Sequence, residues 1–280
     1  MKKFMLLCFL LLALSGRTET INILWIGNSY SGANRMPKLI MDAVSKNTNT
    51  ANINSVMSTA GGSDWSFHLG KPVDEFLRQK LPRPTLSHLE KKGVFDWMII
   101  QTAPFPDERY RFQEFGDELI GKIRDAGAEP LVYCTMSPVG DYKNPGHQYV
   151  YKDGDREKLI AAYEELARDN NAVIAPVGQA WKIAQEKQPN LDLFLSDRLH
   201  PNPVGTYLAV CVFYSVFTGK SPVGIDLPRY YKLPDGRTDV FGNTEFTLSD
   251  EQATFLEECA QQAVNKAKAN GFRVTIRTEK

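Results

Sequence analysis

The feature that most constrains this chain is an alternation: short apolar runs, each closed by turn residues, are followed by segments with helical spacing. Ile21–Ile26 is the first such run, and its continuity fits a central parallel strand covered on both faces. Behind it Met36, Leu39, Ile40, Ala43 and Val44 keep helical spacing, with Pro37 suited to a first turn. Ile53–Met57 reads as a second strand running out into Ser58-Thr59-Ala60-Gly61-Gly62, and Asp96–Gln101 as a third, stopped by Pro104 and Pro106. Phe112, Phe115, Leu119, Ile120 and Ile123 mark a helix that ends at Gly127. Pro130–Thr135 is a fourth strand, Leu159, Ile160, Tyr163, Leu166 and Ala167 mark another helix, and Ala172–Ala175 is a fifth strand. This rhythm predicts an α/β fold with a parallel sheet wrapped on both sides. Such sheets bind ligands at the carboxyl ends of their strands.

The last part of the chain is less regular. Ser221–Asn243 carries several Gly, Pro and Tyr residues and reads as a surface excursion with little regular structure. Phe255, Leu256, Cys259, Ala260, Ala263 and Val264 predict a helix, and Phe272–Thr278 a terminal strand. No internal repeat or low-complexity linker divides the 280 residues, which suffice for a full-sized core. One domain over residues 16–280 is the simplest organisation.

The 33 basic and 33 acidic residues cancel, and no basic stripe interleaves with aromatics, which argues against nucleic acid as a partner. At the start, Lys2 and Lys3 precede an apolar stretch from Phe4 to Leu14, followed by Ala13-Leu14-Ser15 at signal-peptidase spacing. The stretch is short for a bilayer span. Residues 1–15 therefore read as a cleaved export signal, cut near Ser15–Gly16, leaving no stable membrane insertion and a periplasmic or extracellular protein. A lipoprotein at Cys8 is the lesser alternative, because Cys8 lies inside the apolar stretch and follows Leu7. Cys134, Cys211 and Cys259 remain, an odd count in apolar patterns, which points to buried thiols more than a disulfide framework.

Two runs stand out as halves of one site. Gly27-Asn28-Ser29-Tyr30-Ser31 follows the first strand, and Asp197-Arg198-Leu199-His200-Pro201 precedes a helical pattern near Val204. A serine hydroxyl needs a base to become a nucleophile, and histidine suits the task. Asp197 can hold the ring by its other nitrogen, as in a Ser-His-Asp relay. Asn202 reads as an N-cap and Pro203 as the first helical residue, a rigid start for the helix behind His200. Singly, each run is no more than a turn; together and in this order they point to acyl transfer.

These two runs resemble the first and last blocks of the SGNH (GDSL-like) hydrolases. The string from Asp197 through Pro203-Val204-Gly205-Thr206-Tyr207-Leu208-Ala209 is similar to a bacterial subgroup with a Gly-Asn-Ser first block, and the similarity spans Asn22 to Pro222. The resemblance implies a flavodoxin-like three-layer α/β/α sandwich with a central parallel sheet. It also implies Ser29 as nucleophile, His200 as base and Asp197 as its orienting partner. The oxyanion donors of the family are the backbone N–H of the serine, a block-two glycine and a block-three asparagine; losing one such donor typically costs about 3–4 kcal/mol. Ser29 matches the first, and Gly61 or Gly62 the second. The third departs from the pattern: Gln101-Thr102-Ala103 stands where Gly-x-Asn-Asp is usual, so Gln101 is either the donor or a polar strand terminus. Asn28, where many relatives carry aspartate, is a second departure.

Tyr30 and Trp65 are candidates for stacking on a sugar ring, against a role in packing. Arg35 is a candidate for an anionic substrate group, against a plain solvated side chain. His68, His88 and His147 lack metal-ligand spacing, so no metal and no cofactor is expected. The sequence thus predicts an exported serine esterase for O-acyl, above all O-acetyl, esters on a small-molecule or glycan substrate; the carbohydrate preference rests on the resemblance and the export signal. A non-catalytic carbohydrate-binding protein on the same scaffold is the alternative. A phosphate-binding domain fits less well, because the loop after the first strand is not glycine-rich. The oligomeric state is left open.

Overall fold

The computed structural model describes residues 20–48, 53–72, 84–102, 112–137, 142–143, 150–152, 154–233 and 242–276. Residues 1–15, for which the sequence predicts an export signal, and Pro104, Pro106 and His147 lie outside them. The first half contains β1 (Ile21–Gly27), the single turn α1 (Ser29–Gly32), α2 (Met36–Asn47), β2 (Ile53–Thr59), the single turn α3 (Trp65–His68), α4 (Pro84–Leu89) and β3 (Trp97–Ile100). It continues with α5 (Phe112–Asp125), β4 (Glu129–Tyr133), the short pair β5 (Tyr142–Lys143) and β6 (Val150–Tyr151), α6 (Asp155–Asp169) and β7 (Val173–Ala175). The last part holds α7 (Val177–Lys187), α8 (Pro203–Thr218), β8 (Tyr230–Lys232), β9 (Glu245–Thr247) and α9 (Asp250–Ala269).

Five strands form one parallel sheet in the order β2-β1-β3-β4-β7. Helices α2, α7, α8 and α9 pack on one another over one face, and α3, α5 and α6 form the other layer, giving the expected three-layer α/β/α sandwich. Ile23, Leu24, Trp25 and Ile26 are wholly buried because β1 is covered on both sides. Edge strand β2, by contrast, leaves Asn54 and Met57 exposed.

Helix α8 is apolar almost all round, which suits only a helix with neighbours on every side. Its Phe213 ring lies 5.2 Å from Trp25 of β1 and 5.0 Å from Tyr133 of β4. The helix starts as the sequence predicts: the Asn202 side chain accepts a hydrogen bond from the Gly205 N–H at 2.9 Å, with Pro203 in the first turn. That start fixes the chain immediately behind His200.

One expectation is refined and one needs correction. Within Ser221–Asn243 the structure contains β8, which pairs antiparallel with β9. The hairpin forms because Leu233 and Phe246 bury against Leu195 in a small apolar cluster, with Tyr231 and Val204 packed at its side. Phe272–Thr278 is not a strand among its described residues. It makes one isolated bridge, Arg273 to Val173, after which the Ile276 N–H donates to the Val216 carbonyl of α8 and draws the segment away from β7. Helix α7 lies where the spacing argument assigns no element. Cys134, Cys211 and Cys259 are buried free thiols, and desolvation pushes the Cys134 and Cys211 thiols well above their ordinary range.

The tightest approach at the start of α8 is at Gly205. A β-carbon there would sit 2.5 Å from the Leu193 carbonyl oxygen and run into the Trp181 ring. Alanine would gain about 1 kcal/mol of helix propensity over glycine, whereas overpacking typically costs about 1–3 kcal/mol. Gly205→Ala should therefore lower the urea midpoint. An unchanged or raised midpoint would mean that this helix start is not packed as described.

Candidate active site

Ser29 lies two residues past the end of β1, and Gly61 and Gly62 two and three residues past the end of β2. Because β1 and β2 are paired up to Gly27 and Thr59, the two loops leave the sheet side by side. The Ala60 N–H donates to the Gly27 carbonyl at 3.1 Å, and the Asn28 side-chain amide donates to the Ser63 carbonyl at 2.9 Å. Asn28 also caps α1, its Oδ1 accepting from the Tyr30 N–H at 3.0 Å. The departure from aspartate at this position thus leaves the cap intact and adds an amide donor for the neighbouring loop. Both glycines are exposed, and Gly62 takes a left-handed conformation (φ 69°) that glycine adopts at no steric cost.

The Asp197–His200 segment is a closed loop. The Leu195 N–H donates to the His200 carbonyl at 2.8 Å, and Phe194 and Pro201 form an antiparallel bridge at its neck. Arg198, at φ 54°, supplies the sharp reversal. Asp197 Oδ1 accepts from the N–H groups of Leu199 and His200 at 2.9 Å each, a local turn that leaves Oδ2 facing the ring. Oδ2 lies 2.6 Å from His200 Nδ1, and His200 Nε2 lies 2.7 Å from Ser29 Oγ. A carboxylate only accepts, so Nδ1 carries the ring proton; Nε2 then accepts from the Ser29 hydroxyl. Ser29 and His200 are both half-buried, and His200 keeps contact with solvent.

Burial works against ionisation of Asp197, but the hydrogen bonds from the His200 ring and from the two backbone N–H groups outweigh it. They hold the carboxyl below its ordinary value.

The remaining sequence-predicted residues divide. Gln101 has no exposed surface: its Oε1 accepts from the Asn28 N–H at 3.1 Å and the Ser31 hydroxyl at 3.0 Å, and its Nε2 donates to the Thr102 carbonyl. The expectation of an oxyanion donor is therefore corrected to the buried strand terminus, with Oε1 bonded to the base of the serine loop and no surface left for a substrate. Gln101 acts there through close approach, because a β-carbon on Gly27 would meet Gln101 Oε1 at 2.6 Å. Tyr30 and Trp65 are corrected as sugar platforms, both being 2% exposed. Tyr30 lies against the His200 ring, centroids 5.7 Å apart, and Trp65 packs on Phe112 and Tyr163 at 4.7 and 6.0 Å. Arg35 is exposed beside Asn34.

Sequence reasoning missed Asn34 and His68. The Asn34 amide donates to the Pro201 carbonyl at 2.9 Å and to the Thr206 hydroxyl at 2.7 Å, joining the serine loop to the histidine loop. His68 is buried with its ring against the Gly27 carbonyl. Neither carries a local motif that sequence could reveal. Among the described residues no group of three or more His, Cys, Asp or Glu is arranged to hold a metal ion, and no helix is long and apolar enough to cross a membrane.

Comparison with known protein families and with curated proteins gave no match. Solved structures do match. A DUF4886 family protein from Bacteroides uniformis aligns over 88% of this chain and 95% of its own, at 17% identity and a TM-score of 0.61. A candidate SGNH hydrolase from Slackia heliotrinireducens aligns over 70% of this chain and 98% of its own, at 22% identity and a TM-score of 0.55. An acetyl xylan esterase aligns over 70% and 98%, at 17% identity and a TM-score of 0.50. At such identities the shared property is the fold, and the chain has the SGNH-hydrolase fold.

The depressed Asp197 carboxyl links the site to pH. A group whose native pKa is lowered contributes stability above its unfolded pKa, and that stability is lost as pH falls through the native value. Asp197→Asn should thus be less stable than wild type near neutrality, with the gap closing below the ordinary Asp value of 3.8. Urea unfolding at neutral and acid pH measures this; a gap that persists unchanged in acid would contradict the assigned hydrogen bonds.

Proposed function

We propose that this protein is a serine ester hydrolase acting on O-acyl, above all O-acetyl, esters. The observation that carries the reading is the continuous line from Ser29 Oγ through His200 Nε2 and Nδ1 to Asp197 Oδ2, at 2.7 and 2.6 Å. Ser29 Oγ attacks the ester carbonyl while Nε2 takes its proton, and Asp197 stabilises the imidazolium that results. The tetrahedral oxyanion is met by the N–H of Ser29 and that of Gly61 or Gly62. His200 returns its proton to the departing alcohol, the acyl group staying on Oγ. Water then attacks the acyl-enzyme, giving its proton to Nε2, and the acid and the free serine are released. No cofactor enters these steps.

The carbohydrate side of the proposal rests on the block resemblance and on the fold shared with a protein named as an acetyl xylan esterase. Export rests on Lys2, Lys3 and the apolar stretch to Leu14, with residues 16–280 as the working unit. One observation favours a second reading, a non-catalytic carbohydrate-binding protein: Gln101, at the place of the family's third oxyanion donor, has no exposed surface and donates from Nε2 to the Thr102 carbonyl.

A fluorophosphonate probe followed by peptide mapping should modify Ser29. Hydrolysis of p-nitrophenyl acetate should fall by at least about 10³-fold in Ser29→Ala, the scale of losing a triad nucleophile. Equal, background hydrolysis by wild type and variant, with no labelled serine, would leave the binding-protein reading.

A further inference from the structure

We propose that His68 is a positioning residue for the oxyanion donors; this rests on the esterase reading above. The Gly27 carbonyl, two residues before Ser29, is approached by three donors: the Ala60 N–H at 3.1 Å, the Ser63 hydroxyl at 3.0 Å and His68 Nε2 at 2.9 Å. A carbonyl offers two lone pairs, so this oxygen is saturated. Ala60 and Ser63 bracket the Gly61-Gly62 doublet, and Asn28, next to Ser29, donates to the Ser63 carbonyl. The two segments that supply oxyanion N–H groups are thus cross-linked through one backbone oxygen and one side chain, and His68 is the outside support of that junction.

The ring is itself fixed. His68 is 1% exposed, and its Nδ1 lies 2.7 Å from the Thr85 hydroxyl, which lies 2.5 Å from that of Ser58. A carbonyl cannot donate, so Nε2 must carry a proton toward Gly27. With that single proton on the ring, Nδ1 can accept from the Thr85 hydroxyl, and Thr85 from that of Ser58. Nε2 also stands 3.0 Å from Ser63 Oγ, so its proton is shared between the carbonyl and the hydroxyl. One set of protons is consistent with all of these contacts.

Stability alone does not call for such a network. Replacing a buried polar cluster by well-packed apolar groups is often neutral or stabilising, whereas removing one partner is costly. What hydrogen bonds supply here is distance and direction between two loops. Oxyanion donors act only when preorganised at hydrogen-bond distance from the developing charge. A misplacement of about 1 Å costs on the order of 100-fold in rate. The His68–Thr85–Ser58 chain is anchored on β2 and α4 and ends on the carbonyl that precedes the nucleophile.

The test is kinetic and normalised to active sites. His68→Gln, His68→Asn, His68→Ala and Ser63→Ala are assayed with p-nitrophenyl acetate, each rate being divided by serine titrated to completion with a fluorophosphonate. The Gln amide nitrogen is as many bonds from Cβ as His Nε2, so it can still reach Gly27; the Asn side chain is too short. We expect kcat per titrated serine to fall about 10- to 100-fold in the Asn and Ala variants, with KM nearly unchanged. Gln should restore most of it, and Ser63→Ala should lose several-fold. A purely structural His68 would lower the titratable fraction and leave kcat per site intact, and that result overturns the proposal, as does a Gln variant no better than Asn. Should the Ala variant fail to fold, the Gln and Asn pair and Ser63→Ala decide in the same way. If wild type neither labels nor turns over, the esterase reading fails and this one with it; if wild type is active and only the variant pattern fails, the esterase reading stands.

Discussion

The carboxyl edge of the sheet works as one unit only because two loops far apart in the chain are clamped together, and the clamp is the Asn34 amide. Its two bonds, to the Pro201 carbonyl and the Thr206 hydroxyl, tie the turn behind Ser29 to the first turn of α8. The backbone is bent to make them, since Asn34 and the following Arg35 both take left-handed conformations (φ 50° and 56°). Asparagine visits that region readily; for other side chains it costs on the order of 1–3 kcal/mol. The surrounding packing of α2 on α8 must offset that strain. With Tyr30 against the His200 ring and α2 packed on α8, the clamp holds the loops that carry Ser29 and His200 at their 2.7 Å contact.

What the sequence revealed follows the range of the forces involved. Strand β1 was legible because a run buried on both faces must be apolar throughout, and the start of α8 because capping by Asn202 and the fixed φ of Pro203 act within a few residues. The turn that faces Asp197 toward His200 is equally local, set by two backbone N–H groups within three residues of the carboxylate. Roles that depend on exposure were not legible. Trp65 and Tyr30 have the composition of a sugar platform, but both lie inside, and nothing in their immediate neighbours says so. Gln101 has the right amide on the right strand, yet its direction is set by the Asn28 N–H and the Ser31 hydroxyl more than 60 residues earlier. His68 was read only against metal-ligand spacing, because its partners at Gly27, Ser63 and Thr85 have no pattern in sequence.

Hairpin β8–β9 illustrates the same limit from the side of packing. Its residues are rich in turn formers, so local propensity favours an irregular excursion. Tertiary burial overrides this: Leu233 and Phe246 bury against Leu195, which belongs to the neck of the histidine loop. Behind the hairpin, buried Glu257 of α9 accepts from the Gly224 N–H at 2.8 Å and the Tyr207 hydroxyl at 2.5 Å, with Arg229 3.6 Å away. A carboxylate inside the protein is tolerated only with such partners. The result fastens the base of the excursion to α8, one turn beyond the helix start.

The two halves of the site are therefore built on different physics. Around Ser29 the support is buried and polar: Gln101, Ser63 and His68 converge on Gly27 and Asn28, away from water, where hydrogen bonds are strong and an unpaired group is expensive. Around His200 the support is a closed loop at the surface, braced by the apolar cluster of Leu195, Leu233 and Phe246, with the Asp197 side chain 44% exposed. On the proposed esterase reading, a serine and its oxyanion donors must not move between ground and transition state, which favours the rigid arrangement. On the same reading the base takes a proton and passes it on, and its half-buried ring stays open to solvent.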